Sequence, residues 1–249
     1  MQPNFTRAIV VGASSGLGEQ LVRKLAGQGC KVALVGRRTE RLEKIAADLN
    51  GASLDLALPF THDVSDTDRA AELFDEIVAK LGGLDLVIYN AGVMPQVGPT
   101  EYDITKDRQI VETNLTGAMA WLNAAAKRFE RQKSGTIVGI GSVAGDRGRR
   151  GNPAYAASKA GLACFLESLR NRLGEHHVSV VTVKPGRMAT EMTAELGNMA
   201  GMIDAARAAD LVLRGARKFS KVVYVPGKWW LVSKVVCAIP SFMFRRMKF

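Results

Sequence analysis

Within Pro153-Ala154-Tyr155-Ala156-Ala157-Ser158-Lys159, a tyrosine and a lysine stand four residues apart. On a helix that spacing puts both side chains on one face. An isolated phenol has a pKa of about 10, too high for ready proton transfer near neutrality, and a nearby cation favours the phenolate. Lys159 has no carboxylate four residues away on either side to absorb its charge, so it suits the cation's role. Ser142 follows the apolar run Thr136–Gly141, in a loop that could return its hydroxyl to the same pocket and hold a carbonyl oxygen. The three residues predict acid–base chemistry between a carbonyl and an alcohol, with Tyr155 moving the proton. A Tyr-x-x-x-Lys pair also occurs as a plain surface pair, so its surroundings decide.

A second group lies near the N-terminus. The run Ala8–Val11 leads into Gly12-Ala13-Ser14-Ser15-Gly16-Leu17-Gly18 and then a helical pattern. Glycines let backbone approach a pyrophosphate closely, and the helix start offers free N–H groups and partial positive charge. Gly12, Ser14, Ser15, Gly16, Leu17 and Gly18 are therefore expected at a dinucleotide. The next apolar run ends in Val35-Gly36-Arg37-Arg38. A carboxylate placed there would bind ribose hydroxyls; two guanidinium groups suit a 2′-phosphate instead. The expectation is NADP(H), with Arg37 leading and Arg38 and the loop serines helping. In His62-Asp63-Val64 the carboxylate could accept from the adenine amino group, and Asn90-Ala91-Gly92 could let backbone pass close to the ribose. His62 itself is expected to be a loop histidine with its own hydrogen-bond partner, not a ligand.

Such residues need elements to hold them. Apolar runs at 8–11, 31–35, 56–61, 84–89, 136–140, 179–183 and 222–225 alternate with helical patterns. The helical patterns cover 16–28, 40–49, 66–81, 110–130, 154–174 and 204–218. Continuous Val/Ile/Leu runs suit strands covered on both faces, so the prediction is an α/β doubly wound parallel sheet, Rossmann-like, of about seven strands with helices on both faces. Ligands then bind outside the carboxyl ends of the strands, which is where these loops fall.

At this point the chain resembles the short-chain dehydrogenase/reductase family over about residues 6–227. The glycine loop, Asp63-Val64, Asn90-Ala91-Gly92, Asn114, Ser142, Tyr155/Lys159 and Pro185-Gly186 appear in the family's order and at similar spacing. The resemblance implies Tyr155 as general acid/base and Ser142 positioning the carbonyl. It implies Lys159 holding the nicotinamide ribose and lowering the tyrosine pKa, and Asn114 supporting a water-linked proton relay. Pro185, Gly186, Met188 and Thr190 would frame the nicotinamide amide. Val11 stands where the family often has threonine, and Met188 where valine or isoleucine is usual; neither removes proton chemistry. Homodimers or homotetramers built through 110–130 and 154–174 are also implied.

The formal net charge of +10 is concentrated at one end: residues 211–249 hold nine basic side chains and no acidic one. The remainder is nearly neutral and carries no nucleic-acid motif, so no nucleic-acid partner is expected. Three dispersed cysteines and three histidines suggest neither disulfides nor a metal, and no secretory pattern precedes the first strand, so a cytoplasmic protein is expected. Residues 1–227 are expected to form a single catalytic domain and 228–249 a basic, apolar extension with Trp229 and Trp230. Its uninterrupted apolar stretches are too short to span a bilayer, which needs about 20 residues. It suits peripheral contact with a membrane surface, or packing on the pocket or on a partner subunit. Segments 94–101 and 189–203, with Met192, Met199 and Met202, are expected to line an apolar substrate pocket. The competing readings are an NADP-binding regulator without catalysis and a membrane-surface scaffold.

Overall fold

The computed structural model describes residues 5–51, 55–98, 100–189, 191 and 202–247. Its long strands are β1 (Arg7–Val11), β2 (Lys31–Gly36), β3 (Ala57–Thr61), β4 (Leu86–Tyr89), β5 (Gly135–Ile140) and β6 (Val178–Pro185). Two short strands follow, β7 (Met188–Ala189) and β8 (Ile203–Asp204), and then β9 (Val222–Val225). Seven of these form one sheet in the order β3-β2-β1-β4-β5-β6-β9, every neighbouring pair parallel. The chain leaves β1 toward β2 and β3, then crosses back to place β4 on the other side of β1. That reversal opens a crevice at the carboxyl ends of β1 and β4.

Side chains of one strand point to alternate faces, which divides the core in two. Ala8 and Val10 of β1, Val32 and Leu34 of β2, and Val181 and Val183 of β6 face one layer. There they meet helices α1 (Gly16–Ala26), α2 (Thr39–Asn50) and α7 (Ala205–Arg217) through Leu21, Leu25, Ile45, Val212 and Leu213. Ile9, Val11, Ala33, Val35, Val87 and Tyr89 face the other layer, formed by α3 (Thr67–Leu81), α5 (Gly117–Gln132) and α6 (Pro153–Leu173). A chain with both sheet faces covered reads as unbroken apolar runs, as this one does.

Two features depart from the sequence expectation, and a third falls within its alternatives. The expected helix over 110–130 is divided: α4 (Ile104–Val111) begins earlier, a π-turn follows at Glu112–Thr116, and α5 resumes at Gly117. Asp103 caps α4 by accepting from Thr105 N and Lys106 N at 2.8 and 3.4 Å. The short strands β7 and β8 pair into a two-stranded ribbon that brackets the segment expected to line the substrate pocket. The C-terminal extension folds into α8 (Lys228–Ala238) and α9 (Ser241–Phe244) and docks on its own chain. Among the described residues, no helix is long and apolar enough to cross a membrane.

Candidate active site

The glycine loop is closed by backbone contacts. Gly12 N and Ala13 N both donate to Val35 O, at 2.8 and 3.0 Å, tying the end of β1 to β2. Gly12 has φ +85°, and a Cβ there would lie 2.5 Å from Ala91 N. At Gly18 a Cβ would lie 1.9 Å from Gly12 O and 2.7 Å from Asn90 Nδ2. Asn90 Nδ2 itself donates to Gly12 O at 2.8 Å, so this loop and the Asn90-Ala91-Gly92 turn are locked together. Ser15 precedes α1 without a side-chain cap bond, leaving the helix's first N–H groups to other acceptors. Leu17 is buried in the core, so only its backbone is available to a ligand.

Of the two arginines, it is Arg38 that joins the glycine-loop serines. Arg38 donates through Nε and Nη2 to Ser14 Oγ at 3.0 and 2.9 Å and reaches Ser15 Oγ. Its Nη1 donates to Glu191 Oε2 at 2.8 Å, and Arg41 holds the other oxygen of that carboxylate. The two guanidinium groups hold the Glu191 carboxyl at about 2, well below its usual value. Arg37 instead faces Asp63 at 3.6 Å. Burial works to raise the Asp63 carboxyl, but hydrogen bonds from Ser65 N and Oγ, together with Arg37, hold it below its ordinary value. Val64 is buried against α3 and α5. His62 departs from its expectation: its ring is buried with Nε2 unpartnered and rests edge-on against Trp121 at 5.5 Å between centroids. Burial lowers its pKa.

These residues fit a phosphorylated dinucleotide. The glycine loop leaves room for backbone-close approach, and Arg38 with Ser14 and Ser15 makes a donor set for a phosphate at the end of β2.

Gly92 links this end to the other: a Cβ there would lie 3.2 Å from Asn114 Oδ1 and 3.5 Å from Lys159 Nζ. Asn114 is fully buried in the π-turn. It accepts from Val93 N at 2.7 Å and donates to Val93 O at 3.0 Å and to Ser158 Oγ at 3.2 Å. The backbone irregularity is supported from β4, where Tyr89 OH donates to Thr113 O at 2.6 Å. Such π-turns often mark functional sites.

Asn152 caps α6 by accepting from Tyr155 N at 3.0 Å, which fixes the first helical turn and the start of the Tyr155 side chain. Four residues on, Lys159 is buried and donates to Ile140 O at 2.9 Å, with Nζ 5.8 Å from the centre of the Tyr155 ring. Ser142, at the end of β5, accepts from Ala144 N at 3.1 Å. Burial raises the Tyr155 pKa and Ser142 opposes that rise. The group that lowers the phenol's pKa here is thus Ser142. Lys159 is directed onto a backbone carbonyl, and burial brings its own pKa down to about 8.

Pro185 ends β6 and Gly186 follows it, with Gly186 N donating to Val225 O at 2.9 Å. A Cβ on Gly186 would lie 1.9 Å from Trp229 Nε1, so the C-terminal helix packs directly on the segment expected to frame a nicotinamide. Met188 packs partly buried against the core. Thr190, Met192 and Met199 lie outside the described residues, whereas Met202 is partly buried. Three contributors escaped sequence reasoning: Glu191, Asp146 and Arg147. Asp146 Oδ1 accepts from Lys184 at 2.5 Å, and its Oδ2 accepts from Tyr224 OH at 3.2 Å and from Ser233 Oγ. Arg147 Nη1 donates to the end of α8 at Val236 O and Ile239 O, at 2.5 and 2.6 Å. No local pattern announces these contacts, which join residues far apart in the chain.

The known proteins similar to this chain agree with the geometry. A family model described as short chain dehydrogenase matches residues 6–201. An uncharacterized oxidoreductase of Myxococcus xanthus is 34% identical over 242 residues, 97% of this chain and 95% of that protein. A second, from Mycobacterium tuberculosis, is 34% identical over 90% of this chain and 88% of its own. Among solved structures, a short chain dehydrogenase/reductase family protein is 30% identical with a TM-score of 0.79, covering 90% of this chain and 97% of that one. A single-substitution variant of actinorhodin polyketide ketoreductase, solved with NADPH, is 25% identical, also with a TM-score of 0.79 and the same coverage.

Proposed function

The chain belongs to the short-chain dehydrogenase family and is an oxidoreductase, and from that premise we propose that it is an NADPH-dependent reductase converting a carbonyl to a secondary alcohol, or the reverse. The observation that carries the reading is the Tyr155 phenol set beside the buried Lys159 on one helical face, with Lys159 Nζ 5.8 Å from its ring and Ser142 opposing the rise that burial gives its pKa. NADPH supplies the hydride when bound. Tyr155 donates its phenolic proton to the carbonyl oxygen, and the Ser142 hydroxyl donates a hydrogen bond to the same oxygen, stabilising charge that develops there. Lys159 holds the nicotinamide ribose. The rigid Asn114–Val93 bonds hold the floor of the pocket, and Asn114 supports a water-linked proton relay. Arg38, Ser14 and Ser15 bind the 2′-phosphate, with Arg37 and Asp63 nearer the adenine. An intact Tyr155/Lys159/Ser142 group favours catalysis over a purely regulatory NADP-binding role. The test is a panel of ketones with NADPH and NADH: turnover with NADPH favoured at least tenfold supports the reading, and absence of any carbonyl reduction overturns it.

The extension favours an additional reading. The inner face of α8, with Trp229, Ser233 and Val236, is turned to the chain, leaving Trp230, Leu231, Val235 and Phe242 exposed, each by more than half. Ile239 is likewise partly buried, whereas Val232 faces outward. Exposed apolar side chains among Lys228, Lys234, Arg245 and Arg246, with no acid between, suit peripheral contact of a cytoplasmic enzyme with an anionic membrane surface. Co-sedimentation with anionic but not neutral vesicles, weakened by salt, supports this; indifference to both overturns it. We further propose a homodimer or homotetramer through α5 and α6, checked by light scattering.

A further inference from the structure

The loop from Ser142 to Tyr155 carries one acid and three arginines, in Asp146-Arg147-Gly148-Arg149-Arg150. Three of the four have evident duties. Asp146 is taken by Lys184, Ser233 and Tyr224. Arg147 closes the end of α8 and lies over the Phe244 ring at 3.9 Å. Arg150 Nη2 donates to Arg245 O at 2.7 Å.

Arg149 has no such duty. It is half-buried, and its Nε has no hydrogen-bond partner among the described residues. Burial lowers its pKa; the nearby Asp146 opposes that, and Arg187 adds to it. A guanidinium drawn partly out of water, with its Nε unpartnered and the adjacent carboxylate already occupied, is unfavourable unless an anion meets it. Arg187 is exposed and directly follows Pro185-Gly186. Gly141 N donates to Val183 O at 2.7 Å, so the segments leading to Arg149 and Arg187 emerge side by side from neighbouring strands. Both therefore stand at the carboxyl edge of the sheet that also holds Ser142 and Tyr155, where ligands of such sheets bind.

We infer that the substrate carries an oxyanion, a carboxylate or a phosphate, which Arg149 and Arg187 bind together while Tyr155 and Ser142 act on its carbonyl. Two planar donor groups can engage such an anion at several oxygens, fixing the distance between the charged end and the reacting carbon. The inference rests on the reductase reading for its chemistry, and on Arg149 and Arg187 alone for its charge.

The test uses the full chain and a matched series: a long-chain oxo-carboxylate, its methyl ester, and an oxo-alkyl phosphate of the same length. Turnover is read as kcat/KM. Binding of the same three compounds is read by calorimetry, which needs no turnover. Wild-type protein should favour at least one anionic member over the ester by about tenfold or more, the size expected for a charge-assisted bond. Arg149→Gln and Arg187→Gln should each remove most of that preference. Arg187 is exposed, so its variant keeps the test open should Arg149→Gln disturb the loop. Which anion is preferred separates a carboxylate from a phosphate substrate. Equal binding of all three compounds by the wild type, or a preference unchanged in both variants, overturns the inference even if every ketone is reduced. Selective anion binding without any reduction would instead retain the anion site and count against the reductase.

Discussion

The Glu191 carboxylate is hydrogen-bonded to the Arg38 guanidinium at 2.8 Å, although the two residues lie 153 positions apart. Arg38 at the same time donates to Ser14 and Ser15 of the glycine loop. An acid from the segment after β7 thus occupies the arginine that also holds the glycine-loop serines.

Three outcomes follow for cofactor binding. Arg38→Ala should weaken NADPH by about 1.5–3 kcal/mol, the range for hydrogen bonds to charged groups, and leave NADH within a few-fold. Arg37→Ala should cost NADPH less, because Arg37 is engaged with Asp63. Glu191→Gln should tighten NADPH several-fold, since the phosphate no longer competes with a carboxylate. Fluorescence titration of both cofactors checks all three variants. Equal losses for NADPH and NADH in Arg38→Ala would place that arginine in a structural role.

Lys159 supplies a pH test of burial. Its side chain is only 4% exposed, and its pKa is brought from 10.5 down to about 8. Below pH 8 both folded and unfolded chains hold the proton, and the folded state bears the full cost of the buried charge. Between pH 8 and 10.5 the unfolded chain binds more protons, so folding stability should rise with pH. Relative to Lys159→Met, wild-type stability in urea should therefore climb through that window, by about 3 kcal/mol at most. Parallel pH profiles for the two proteins would contradict a buried ammonium.

Arg147 should decide whether the extension stays docked. Its guanidinium holds the carbonyls of Val236 and Ile239, and no other described side chain does so. Arg147→Ala should speed proteolytic cleavage within 228–247 and lower the Tm by several degrees, leaving cleavage elsewhere unchanged. An unaltered digestion pattern would show that Trp229 and Ser233 suffice to hold α8.

The sheet was legible because its strands are buried on both faces, so runs such as Ala8–Val11 and Lys31–Val35 carry no polar interruption. Helix α4 was hidden for the opposite reason: only Ile110 in it is buried, while Ile104 is exposed, so no apolar period marks it. Tyr155, Lys159, Ser142 and Asn114 stood out through local spacing and family resemblance, and the structure brings Asn114 and Lys159 to Gly92 and Lys159 to Ile140, two residues before Ser142. What could not be read was anything depending on pairs distant in sequence. Arg37 and Arg38 are chemically identical neighbours, and only Glu191, Asp63 and the loop serines tell them apart. Trp229 looked like an interfacial anchor by composition, but its indole lies against Gly186.

The most direct test of the account is Tyr155→Phe, which removes one transferable proton and little else. With a ketone that the wild type reduces, kcat should fall by about 10²–10⁴-fold, while the Kd for NADPH stays within a few-fold. A variant that retains more than about a tenth of wild-type kcat would show that another group supplies the proton, and would contradict the role given to Tyr155.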